Sequence, residues 1–123
     1  MSDPACDEYR QSHNRCAVCH WPEGRWGRWL ELHHIVGGRG RKHVPYNMVM
    51  LCSRCHRALH DKIADHPEIP KGAILTAKKG EDGKVKPDQL AALQGKKALS
   101  YEPESIPEFY MNERTRRGGK PWP

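Results

Sequence analysis

The sequence predicts a small α+β protein in which two strands and a helix are stapled by a four-cysteine zinc site and followed by an extended, partly irregular C-terminal tail. Three observations predict it. Cys16-Ala-Val-Cys19 and Cys52-Ser-Arg-Cys55 form two C-x2-C pairs. Between and beside them, apolar residues recur first with period two and then at helical spacing. The 123 residues are also polar for a self-sufficient core, at 37% hydrophobic with a mean hydropathy of -0.89. Folds this short of apolar surface are commonly held by metal or disulfide.

The elements follow in order. "WLELHHIV" (29–36) alternates apolar and polar and reads as a strand. "GGRGRKH" (37–43) reads as loop, because three glycines among basic residues cannot pack as an element. "NMVMLC" (47–52) is short and apolar and reads as a second, buried strand. From Ser53, a suitable N-cap, "RCHRALHDKIAD" reads as a helix with His56, Leu59, His60 and Ile63 on one face, stopping before Pro67. Composition then shifts near residue 65, where the cysteines end and a Pro-, Lys- and Glu-rich stretch begins. We therefore expect a zinc-stapled domain over 1–65 and a C-terminal extension over 66–123. In the extension, "AILTAKKGEDGKVKP" is expected to form a hairpin around "GEDG", and "PDQLAALQGKKAL" a short helix with Leu90 and Leu93 inward. The last dozen residues are expected to be mobile unless they lie across the first part or a nucleic acid.

No apolar run approaches the ~20 residues that span a bilayer, and the N-terminus has no hydrophobic signal stretch. The expectation is a cytoplasmic chain without membrane contact, where thiols stay reduced and paired cysteines favour metal over disulfide. A net charge of +6 and a pI near 9.2 suit a polyanionic partner such as nucleic acid. Cys16, Cys19, Cys52 and Cys55 would complete a closed tetrahedral Zn²⁺ site, structural because no coordination position stays open. Cys6 has no partner at that spacing and reads as a free thiol; His13 and His20 flank the first pair as substitute ligands.

His33 and His34 must point to opposite faces of a strand, whereas His56 and His60, at i and i+4, stack on one face of the helix. One member of the doublet can therefore join the helix pair around a second metal while the other stays free, on the same side as Leu32. Three neutral imidazoles leave positions open, as a catalytic metal requires.

With "LELHH", Asn47 and "CSRCHRALH" in hand, the chain resembles the HNH endonucleases of the ββα-metal fold, in the zinc-bearing branch with two CxxC knuckles that includes small phage nucleases. The resemblance covers roughly residues 14–65. It implies a metal-dependent DNA endonuclease that hydrolyses phosphodiester bonds; a single site in a monomer would nick, and a basic loop that contacts phosphates predicts low sequence specificity. It assigns His33, His56 and His60 as ligands of a catalytic divalent ion (Mg²⁺, Mn²⁺, Ni²⁺ or Zn²⁺) and His34 as the general base. Asn47 would brace the interstrand loop and hold that base; Glu31 would support the site, or else stand as a solvated strand carboxylate. Members of this kind often belong to phages or mobile elements and act beside packaging machinery, as monomers or dimers.

The chemistry agrees with the residues on its own terms. Phosphodiester hydrolysis needs a base, charge neutralisation at phosphorus and help for the departing oxygen, which an imidazole and a divalent ion supply. Arg39, Arg41, Lys42 and His43, in the interstrand loop, are candidate phosphate contacts, giving affinity without sequence readout. Trp21, Trp26 and Trp29, interleaved with Arg25 and Arg28, form either a base-stacking surface or a cover for the zinc knuckle. "RTRRGGK" (114–120) is either a phosphate-binding arm or a plain tail. Two other functions compete: a non-catalytic zinc-ribbon module that binds nucleic acid, and a zinc-stapled protein-interaction domain using the proline-rich tail.

Overall fold

A computed structural model describes residues 3–24, 29–37, 41–60, 66–93 and 104–121. Its centre is an antiparallel hairpin of β1 (Leu30–His34) and β2 (Met48–Cys52), with Leu30 opposite Cys52 and His34 opposite Met48. Helix α2 (Ser53–His60) follows β2 without a break. This small α+β arrangement of two antiparallel strands and a helix, with its four cysteines clustered, is that of the ββα-metal fold. The strands are shorter than the sequence suggests: Trp29, Ile35 and Val36 lie outside β1, and Asn47 ends a single 3-10 turn (Pro45–Asn47) before β2. Residues 61–65, the expected end of α2, lie outside the described part.

Every residue of β2 is buried, because both faces of the hairpin are covered. Met48 and Met50 pack with Cys6 and Tyr9 of α1 (Pro4–Ser12) on one face, while Val49 and Leu51 join the main core on the other. The sequence reading placed no element at α1. Its start is nonetheless written locally, since Asp3 caps the helix by accepting from the Ala5 N–H at 2.8 Å and Pro4 occupies the first turn.

The expected "GEDG" hairpin is wrong. Residues 73–82 form helix α3 (Ala73–Asp82), which runs through Gly80 and stops at Gly83 in the left-handed region at φ 71°. There the Gly83 N–H returns to the Lys79 carbonyl at 3.1 Å, a helix C-cap that glycine adopts without strain. Burial decided the matter. Ala73, Ile74, Leu75 and Ala77 enter the core, and Glu81 and Asp82 are bound from α1 rather than exposed in a turn. Lys78, fully buried, donates to Tyr9 Oη at 2.7 Å, the Pro45 carbonyl at 2.6 Å and Asp82 Oδ2 at 2.6 Å, so its charge is satisfied by three acceptors. The expected helix at 87 is present as α4 (Pro87–Leu93), with Leu90 buried and Leu93 partly buried against the core.

The chain end is ordered across the first part. Helix α5 (Glu108–Arg116) buries Tyr110, and the Tyr110 hydroxyl donates to the Pro67 carbonyl. From the basic run "RTRRGGK", Arg114 donates to the Ala17 carbonyl at 2.7 Å and Arg117 to the Cys19 carbonyl at 3.0 Å. Both cations therefore belong to the fold. Arg54 of α2 is held by the Glu113 carboxylate, at 2.7 Å to Oε1, and Arg117 reaches the same oxygen at 3.1 Å. One hydrophobic cluster joins Cys16, Leu51 and Cys55 to Ile69, Leu75, Leu90 and Tyr110. Among the described residues no helix is long and apolar enough to cross a membrane.

The Arg54–Glu113 pair sets a testable cost. Burial pushes the Glu113 carboxyl upward, but Arg54 and Arg117 more than reverse this and hold it below the ordinary carboxylate range. A depressed carboxylate stabilises the fold above its unfolded pKa of ~4.3 and loses that contribution as pH falls through the folded value. Glu113→Gln should cost about 2–4 kcal/mol in urea unfolding at pH 7, because it leaves the buried Arg54 charge without a counter-ion. The gap to the wild type should narrow as the pH is lowered below 4.

Candidate functional site

Two side-chain clusters lie on opposite ends of α2. At its start, Cys16, Cys19, Cys52 and Cys55 bring their sulfurs within 4.8 Å of one another, all four buried and all free thiols. Cys52 closes β2 and Cys55 lies in the first turn of α2, so strand pairing and helix geometry aim this pair locally. The other pair sits in a knuckle docked on β2 through the Ala17 N–H, which donates to the Met50 carbonyl at 2.9 Å. Within each pair the second cysteine's amide faces the first sulfur, Cys19 to Cys16 at 3.5 Å and Cys55 to Cys52 at 3.4 Å. These contacts stabilise thiolate. The Cys16, Cys19 and Cys55 thiols also hydrogen-bond to Cys52, whose thiol is held well below its ordinary range, while burial pushes Cys16 up. The Cys19–Cys52 sulfur separation is 3.7 Å, against ~3.8 Å for the edge of a tetrahedron with metal–sulfur bonds of ~2.3 Å. Donor set and spacing both fit a closed structural metal site.

The second cluster is made of His33, His56 and His60, whose ring nitrogens also lie within 4.8 Å of one another. Its geometry follows from two periodicities. His33 faces α2 because it is odd-numbered on β1, and His56 and His60 are one helical turn apart on the face that meets it. His33 Nδ1 lies 3.2 Å from His56 Nε2, and the His60 ring centre is 5.3 Å from that of His33 and 4.8 Å from that of His56. Burial, followed by the neighbouring His56 and His60 charges, pushes the His33 pKa down to about 3, so this imidazole is neutral and ready to ligate at physiological pH. Glu31, on the same strand face, approaches His56 Nδ1 at 3.1 Å, an arrangement that turns the other ring nitrogen toward the cluster. His60 is exposed, so the cluster opens to solvent on one side. Three imidazoles with an open side fit a divalent ion that keeps exchangeable positions.

His34 is not in that cluster. It points to the other face of β1 with Leu32, as the alternation requires, and its Nε2 lies 2.9 Å from His43 Nδ1. Burial, then the charges of Arg41, His43 and Arg10, push its pKa down to about 4, leaving it neutral. Asn47, fully buried, grips the segment that carries these residues: its Oδ1 accepts from the Val36 N–H at 2.8 Å and its Nδ2 donates to the carbonyls of Val36 and Lys42 at 3.1 and 3.0 Å. The backbone carbonyl of Asn47 also accepts from the Ile35 N–H at 2.9 Å.

Of the basic loop residues, Arg41 and Lys42 are exposed, whereas His43 is half-buried with its ring turned to His34 and Cys6. Arg39 lies outside the described residues, as do Arg25, Trp26 and Arg28. Trp21 packs against the core with the Arg117 guanidinium 4.6 Å over its ring, but Trp29 is 63% exposed and covers nothing. Cys6 and Arg10 are the residues that motif spacing missed. Both come from α1, and only its Asp3-Pro4 start signals that a helix is there.

Residues 16–62 match the family model described as HNH endonuclease. Searches of curated proteins and of solved structures gave no match. The matched segment begins at the first cysteine of one cluster and ends just past His60, spanning every element that builds both, so over this segment the chain is similar to the HNH endonucleases.

Proposed function

We propose that the protein is a metal-dependent DNA endonuclease in which His33, His56 and His60 hold the catalytic divalent ion and Cys16, Cys19, Cys52 and Cys55 hold a structural Zn²⁺. The observation that carries this reading is the divergence of the doublet. His33 converges with two helix imidazoles on one face of β1, while its neighbour His34 stays outside that cluster and lines a cleft on the other face. A bound divalent ion supplies charge neutralisation at the scissile phosphate and at the departing 3′ oxygen.

The chain's own groups do the rest. His34 accepts the proton of the attacking water; its lowered pKa keeps it unprotonated at neutral pH while making it a weaker base. Asn47 fixes the loop between the strands and thereby the position of His34. Glu31 orients His56, and exposed Arg41 and Lys42, with Arg39, contact phosphates without reading bases. Weak sequence preference and steep salt dependence follow. One such site per chain nicks a single strand; cutting both strands requires two copies.

His34→Ala should lower the rate of supercoiled plasmid nicking in Mg²⁺ or Mn²⁺ by about 10²–10⁴-fold, while DNA binding and the metal held by the four cysteines and by His33, His56 and His60 stay unchanged. Undiminished nicking would remove His34 from the role of base. A protein that binds plasmid yet never nicks it, in any of the four metals, would instead be a nucleic-acid-binding module. Cys52→Ser should lose the structural zinc and with it the cooperative thermal transition, since the binding free energy of such a site, about 10–16 kcal/mol, is folding free energy. Metal analysis alongside circular dichroism reads both.

A further inference from the structure

The face of β1 opposite the triple-histidine cluster holds a group of donors of which the nuclease reading uses only His34. Helix α1 lays Cys6 over this face, with its sulfur 3.2 Å from His43 Nδ1 and 3.9 Å from Met48 Sδ. His34 Nε2 approaches the same His43 nitrogen at 2.9 Å, and all three donor atoms fall within 4.8 Å of one another. We propose that Cys6, His34 and His43 form a binding site for one thiophilic divalent cation of the Zn²⁺ class, and that filling it withdraws His34 from catalysis. The second half rests on the nuclease reading; the first does not.

Three arguments support the site. Bonds of ~2.3 Å to sulfur and ~2.0–2.1 Å to nitrogen put tetrahedral donors ~3.3–3.6 Å apart, so the Cys6–His43 and His34–His43 contacts need to lengthen by only a few tenths of an ångström. The donors are also held from independent directions. Cys6 sits on a helix fixed by the Asp3 cap and the Tyr9–Lys78 contact, His34 on a paired strand, and His43 next to Lys42, whose carbonyl Asn47 grips. Finally, the site is reachable: the three residues line a cleft of about 300 Å³. Asp3, Asp7, Arg10 and Arg41 also line it, so its charges balance, and water can complete the coordination.

The donor set selects the cation. One thiolate with two imidazoles favours Zn²⁺, Co²⁺ or Ni²⁺, whereas Mg²⁺ demands oxygen ligands. The nitrogen that such a cation takes is His34 Nε2. A chain cutting in Mg²⁺ is then inhibited when free zinc rises, without displacement of the ion at His33, His56 and His60.

The test starts from full-length protein with the four-cysteine site loaded with zinc, titrated with Co²⁺. A thiolate-to-cobalt charge-transfer band should appear in the near ultraviolet for the wild type and for His56→Ala, and vanish in Cys6→Ser and in His43→Gln. The last variant carries the test if Cys6→Ser does not fold. No band in the wild type, or a band that survives both substitutions, overturns the site. In a Mg²⁺-supported plasmid assay, free Zn²⁺ should slow the wild type about tenfold or more by removing its base, and Cys6→Ser far less. Equal inhibition of the two would put the zinc on the triple-histidine cluster and overturn the regulatory half. A wild type that shows the band but cuts in no metal upholds the site and rejects the nuclease reading instead.

Discussion

The four-sulfur cluster is the constraint on which the rest of the structure depends. It ties a knuckle at residues 16–19 to the joint where β2 becomes α2. A two-stranded hairpin is marginal in water on its own, and an eight-residue helix is too short to persist alone. A metal held by the four sulfurs would cross-link the joint and fix the angle at which α2 leaves the sheet. That angle determines whether His56 and His60 meet His33. The four-sulfur cluster thus helps to assemble the triple-histidine cluster without touching it.

The same joint gathers the remainder of the chain. Arg114 and Arg117 of the C-terminal segment donate to knuckle carbonyls, and Glu113 neutralises Arg54 beside Cys55. A chain with this little apolar surface uses cations on backbone oxygens where a larger protein would use more core. On the other side of the hairpin, Lys78 serves the same end. Its ammonium joins α1, α3 and the turn before β2 through three hydrogen bonds, and without them its burial would be prohibitive.

The histidine doublet gives two adjacent residues two separate environments. The period-two alternation of a strand sends one ring into an imidazole cluster facing α2 and the other toward Cys6 and His43. Both rings are held neutral, His33 chiefly by burial among other imidazoles and His34 by burial beside arginines. The roles proposed for them, metal ligand and general base, both need that state.

What the sequence determined by itself is what one local period encodes. Each C-x2-C turn, the divergence of His33 from His34 and the stacking of His56 on His60 are fixed by backbone geometry within a few residues, so both side-chain clusters were legible in the sequence. Tertiary structure decided everything whose partner lies far along the chain. "GEDG" has the composition of a turn, but Tyr9 and Lys78 bind its carboxylates and the core takes its apolar flank, so it is helical. "RTRRGGK" has the composition of a free basic arm, but the carbonyls of Ala17 and Cys19 claim two of its arginines. Cys6 has no neighbour in sequence that marks it, and it acquires His34 and His43 only because α1 folds back over β1. Burial and long-range hydrogen bonding override local propensity in each case, and neither is written in the spacing of nearby residues.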